Sequence, residues 1–99
     1  MGDQIKPTID KYVQAVKAIT EQQSKIVGEV VAFGLAMDVE GLSVEDGAKF
    51  SITGDPVEVL KNLVDKYSIL FGQISIDVSK DAVDDLHLFK PNELPSNLR

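Results

Sequence analysis

The chain has no cysteine and no tryptophan, one histidine, His87, and one arginine, Arg99. Without thiols it has no disulfide, no thiolate metal site and no cysteine nucleophile. Basic residues are scarce. Ten Lys and Arg stand against sixteen Asp and Glu, a formal net charge of −6. Nucleic acids and anionic lipid surfaces are held by clustered cations, so neither is an expected partner. Long apolar runs are missing too. The most apolar stretch, Ile26–Met37, is interrupted by Glu29 and falls short of the roughly 20 residues a membrane span needs. No basic front followed by an apolar run marks a Sec-type signal, and Lys6 stands where a myristoylation motif requires Ser or Thr. A cytoplasmic location is the expectation.

What is present is ordinary globular composition, 43% hydrophobic and 26% charged over 99 residues, enough for one domain with a modest core. Ile9, Tyr12, Val16, Ile19, Gln23, Ile26, Val30, Phe33 and Met37 recur at alternating steps of three and four. That spacing places them along one face of an α-helix, with Gln23 the single polar member of the seam. Pro7 suits a first helical turn, Thr8 can cap it, and Asp10 lies near the positive end of the dipole. The pattern predicts one long helix over residues 8–37. Its second half is apolar on several sides, through Val27, Val31 and Leu35, and is expected at the centre of the core. Gly28, Ala32, Gly34 and Ala36 either admit a second backbone or break the helix at one of the glycines.

Thirty helical residues would span roughly 45 Å, more than the 30–35 Å or so of a compact chain this size. The Tyr12–Ile19 end would then overhang. Either residues 73–89 fold back over its stripe or a second copy covers it. In the second case Gln23 would pair with its symmetry mate and fix register. In the first it would lie at the edge of an intramolecular stripe.

Residues 38–47, DVEGLSVEDG, read as a turn region, and Lys49–Gly54 as a short extended segment with Phe50 and Ile52 on one side. Asp55, Pro56 and Glu58 form a capping-box-like start, Val57 to Phe71 an apolar stripe, and Gly72 a stop. Residues 73–89 fit two templates. Ile74, Ile76 and Val78 alternate like a strand, whereas Ile74, Val78, Ala82, Leu86 and Phe89 step like a helix. Helix over 75–88 is the preferred reading, because Lys80, Asp81, Asp84 and Asp85 are poor strand formers. A strand would instead create a parallel β-α-β unit over residues 49–79 and an α+β fold.

The expectation is therefore a mostly α, three-helix single domain over 1–99: helices 8–37, 55–71 and 75–88, an extended segment near 49–53, and flexible or loosely docked ends at 1–6 and 90–99. Leu94 and Leu98 are the residues through which the tail would dock. The expected core is Val16, Ile19, Ile26, Val27, Val30, Phe33, Leu60, Leu63, Val64, Tyr67, Leu70, Phe71, Val78, Ala82 and Leu86.

No set of residues points to catalysis. His87 near a helix end reads as an exposed histidine, favoured there in its cationic form. Asp77, Asp81, Asp84 and Asp85 share a helix face but lack the alternate-residue ligands, central Gly and closing Glu of a calcium loop. Residues 38–49 fail the same test at Leu42 and Lys49. Nucleophile elbows and phosphate loops are absent. The expected function is a small non-catalytic protein-interaction module, self-associating through Tyr12, Val16, Ile19 and Gln23, with no cofactor. A charge at Tyr12 or Val16 should then dissociate it, and a charge at Val30 or Phe33 should unfold it. The alternatives are a small-ligand or divalent-metal-binding domain and a subunit of an enzyme.

Overall fold

The structure, a computed structural model, describes residues 6–46 and 49–99, and side chains from Ile9 onward. The leader expected over 1–6 lies, except for Lys6, outside the described residues, as does the Thr8 side chain. The fold is mostly α. Helices α1 (Lys6–Val27) and α2 (Glu29–Met37) are followed by strands β1 (Leu42–Glu45) and β2 (Lys49–Ile52). Helices α3 (Pro56–Phe71) and α4 (Gln73–Asp84) come next, and two 3-10 turns, Pro91–Glu93 and Ser96–Leu98, close the chain.

The expected long helix is two helices. Gly28 has φ 95° and ψ 153°, a region that only glycine occupies without strain. Its N–H donates to Ser24 O at 2.9 Å and completes α1, while its carbonyl accepts from Ala32 N at 3.0 Å and opens α2. The corner keeps these two flanking bonds, while no side chain caps the first N–H groups of α2. The Cα radius of gyration is 12.6 Å and the principal extents are 42 × 30 × 21 Å; the Tyr12–Ile19 stripe expected to overhang is buried.

α1 packs against α2, α3 and α4, and α3 against α4. Tyr12, Val16 and Ile19 meet Leu60, Leu63, Val64 and Tyr67, with Ala82 and Val83 of α4 completing the core. α3 begins with the expected Asp55 cap and Pro56, without the reciprocal Glu58 bond of a capping box. The Asp55 carboxylate accepts from Val57 N at 3.0 Å, and Pro56 fills a position whose N–H would have no partner. Gly72, at φ 77° and ψ −159°, ends α3 and starts α4.

α4 settles residues 73–84 as helix, so no β-α-β unit forms. It begins two residues before the expected 75 and ends at Asp84, because Asp85 to His87 turn away. Its inward face also differs from the expected stripe: Ser75, Ser79, Ala82 and Val83 are buried, and Ile74 is exposed. The serines are satisfied locally. Ser75 Oγ donates to Gly72 O and Ser79 Oγ to Ser75 O, both at 2.8 Å. Small side chains let α4 lie close over α1.

The turn region is half of a hairpin. β1 pairs antiparallel with β2, with Leu42 opposite Ile52 and Val44 opposite Phe50. The tail docks through the two expected leucines, both buried. Lys11 Nζ reaches Glu93 Oε1 at 2.8 Å, the Tyr12 hydroxyl donates to the Glu93 carbonyl, and Asn97 Nδ2 donates to Asp65 Oδ1 at 3.0 Å. Lys11 and the Lys90 backbone N–H together hold the Glu93 carboxyl below the ordinary carboxylate range.

Candidate functional site: the outer face of α2

Tyr12, Val16, Ile19 and Gln23 lie inside the chain, at 3%, 0%, 0% and 1% exposure. α3, α4 and the tail cover the stripe that a second copy was the alternative to cover. Gln23 Nε2 donates to Ser75 O at 3.0 Å and Ser79 Oγ at 3.3 Å, so its partner is α4. The four expected interface residues are thus brought together, but in the core and not on the surface.

The seam's second half is turned outward. Beyond Gly28, α2 buries its small residues, Ala32 and Ala36. The Tyr67 hydroxyl, buried in α3, donates to the Ala32 carbonyl at 2.7 Å and holds that side of α2 against the core. Opposite it, Val30 is 88% exposed and Met37 59%. Ile26, just before the break, is exposed as well, as is Leu70. Three expected core residues, Ile26, Val30 and Leu70, are therefore exposed, and five more, Val27, Phe33, Phe71, Val78 and Leu86, are only half-buried. For Val30 and Phe33 the physical reason is the corner at Gly28, which breaks the helix that carried the heptad face; Leu70 lies at the end of α3, beside Gly72.

Phe33 is half-buried, tilted against Phe50 of β2 at 6.0 Å between ring centres. Between α2 and the hairpin lies an open groove of about 490 Å³, lined by Glu29, Val30, Phe33, Met37, Val44 and Asp46. Its floor and walls are apolar, and the two charges lining it are both carboxylates. Sequence reasoning missed this groove because Val44 and Asp46 were assigned to a turn. The signal that could have found it is Val44, which with Leu42 alternates as a strand does.

A second cluster of exposed apolar residues flanks the other glycine corner. Ile69 is 80% exposed and Ile74 63%, on either side of Gly72. A small domain usually scatters such residues singly, and groups of them mark interaction surfaces.

The chemical candidates stay apart. His87 is exposed at a left-handed φ of 54° in the turn after α4. Asp77, Asp81, Asp84 and Asp85 are all exposed, and Asp77 accepts from Gln73 Nε2 at 3.2 Å. Among the described residues no group of three or more His, Asp or Glu is placed to hold a metal ion, and no helix is long and apolar enough to cross a membrane. Comparisons with protein-family models, with curated proteins and with solved structures gave no match. The fold and its surface alone therefore define the class: a small helical domain with an unpartnered apolar helix face.

Proposed function

We propose that the chain is a small cytoplasmic, non-catalytic protein-interaction module that self-associates, and that its docking face is the outer side of α2 with the adjoining hairpin groove. The observation that carries this reading is Val30, 88% exposed at the start of α2 on its outer apolar face. Each large apolar side chain left in water forgoes roughly 1.5–3 kcal/mol, and a partner recovers it. The seam residues Tyr12, Val16, Ile19 and Gln23 are not part of this face; they are buried in the core.

Light scattering coupled to size exclusion tests this reading. A mass that rises with concentration supports it, and a strict monomer at high concentration overturns it.

A second reading, a small-ligand-binding domain, is favoured by the groove itself. Its volume of about 490 Å³ falls within the usual range for ligand pockets, roughly 300–1,000 Å³. An apolar amine suits its apolar walls and two carboxylates. Binding of a hydrophobic amine probe, weakened by Val30→Lys, supports that alternative. A divalent-metal version predicts heat on titration with calcium, magnesium or zinc.

A further inference from the structure

We infer that residues 88–99 form a strap that opens as a unit from α1, α3 and α4, turning about His87, while the four helices stay folded. The inference does not rest on the self-association proposed above.

The strap is joined to the helices through side chains. Among the described residues its backbone–backbone hydrogen bonds run within the segment, from Glu93 N to Lys90 O, Leu94 N to Pro91 O, Leu98 N to Pro95 O and Arg99 N to Ser96 O. No backbone ladder has to break for it to leave.

The attachments are few and belong together. From α1, Lys11 Nζ donates to Leu88 O at 3.4 Å, pairs with Glu93 Oε1 at 2.8 Å and lies 5.2 Å from the Phe89 ring centre. The Tyr12 and Phe89 rings meet edge to face, 5.0 Å between centres. On α3, Asn97 Nδ2 donates to Lys61 O at 3.1 Å and to Asp65 Oδ1 at 3.0 Å. Leu94, Pro95 and Leu98 supply the buried apolar anchors. A segment held by such a set is lost or kept as one cooperative unit.

The fit against α4 is loose. Two open clefts, of about 300 and 380 Å³, run beside the strap, and Asp84, Phe89 and Leu94 border both. Asn97 Oδ1 is buried without a partner among the described residues, and opening returns it to water. The turn after α4 ends with His87 N donating to Asp84 O at 3.1 Å. His87 itself holds φ 54°, a left-handed angle that costs a non-glycine residue energy. Rotation there relieves that angle and leaves α4 intact. Opening bares Tyr12 and frees Lys11, so the strap is a cover whose clasp is the Lys11–Glu93 pair.

The chain has no tryptophan, so Phe89→Trp places a single reporter in the strap. The test is urea unfolding of the full chain carrying this substitution, at low protein concentration, followed by tryptophan emission and by helix ellipticity. Emission is expected to shift to the red at a midpoint about 1 M or more below the loss of helix. Glu93→Gln, added to the reporter, should lower the emission midpoint and leave the helix midpoint where it was. Leu98→Asp, added instead, should show the emission of the open strap without urea and keep the helix signal. Coincident midpoints in the reporter chain overturn the inference. So does a Glu93→Gln shift shared by both signals, or loss of the helices in Leu98→Asp.

Discussion

The Gln23 side-chain amide donates to the Ser75 carbonyl at 3.0 Å, joining α1 to α4 at the one polar point of the heptad seam. Gln23 is 1% exposed, so its hydrogen bonds are made away from water. Ser75 O also accepts from Ser79 Oγ at 2.8 Å and stays satisfied if the amide is removed. Gln23→Leu, which keeps the volume, should therefore cost only about 1 kcal/mol. Gln23→Ala, which also leaves a cavity, should cost about 2–3 kcal/mol. Urea denaturation of both variants measures the difference.

Val16 and Val30 occupy equivalent seam positions two heptads apart, yet one is fully buried and the other 88% exposed. Val16→Asp places a carboxylate in the core and should destabilise the fold by about 4 kcal/mol or more. Val30→Asp should change monomer stability by no more than about 0.5 kcal/mol. This reverses the order expected from the sequence, and thermal melts of the two variants at low concentration decide it.

Gly28 holds the corner between α1 and α2 at φ 95°. Gly28→Ala puts a Cβ into a region reserved for glycine and should cost about 1–3 kcal/mol. Gly34→Ala, six residues on in regular helix, should instead stabilise the monomer by up to about 1 kcal/mol. Opposite signs for the same substitution, read from chemical denaturation at low concentration, would confirm that the break lies at Gly28.

Burial raises Tyr67 above its ordinary value of 10.0, against a smaller opposing effect of the nearby Thr20 hydroxyl. Tyr12 is raised by burial and then by the charges of Glu93 and Asp55. A raised folded pKa means the neutral phenol is the form the fold prefers. This contribution is complete below pH 10 or so and is lost as pH rises through the folded values, because the unfolded chain ionises first. Stability should therefore decline above about pH 10. Tyr67→Phe should remove part of that decline, at a cost near 1–2 kcal/mol at neutral pH for the lost bond to Ala32. Urea midpoints across the alkaline range provide the measurement.

Local signals were legible where a residue type has one physical use. Asp55 and Pro56 start α3 and Gly72 ends it, as their capping chemistry requires. The helical reading of residues 75–88 held over 75–84, because charged residues suit a helix face better than a strand. The candidate interface was misplaced because an apolar run such as Ile26–Met37 reads the same whether it is buried or turned outward. The backbone break at Gly28 separates the two, and the contact that holds α2 in its new direction, Tyr67 to Ala32, is tertiary. The hairpin was half hidden for a related reason. β1 has only Leu42 and Val44 as apolar residues, set among Gly, Asp and Glu that also suit turns.

The absence of cysteine makes the division of the seam directly measurable. Val16→Cys and Val30→Cys each introduce the only thiol in the chain, and their rates of reaction with a soluble thiol reagent report exposure. At concentrations low enough to keep the chain monomeric, the thiol at position 30 should react at nearly the rate of a free cysteine. The thiol at position 16 should react at least about a hundredfold more slowly, through opening of the core. Fast reaction at position 16 with protection at position 30 would contradict the fold described and restore the arrangement in which the second half of the seam is the core.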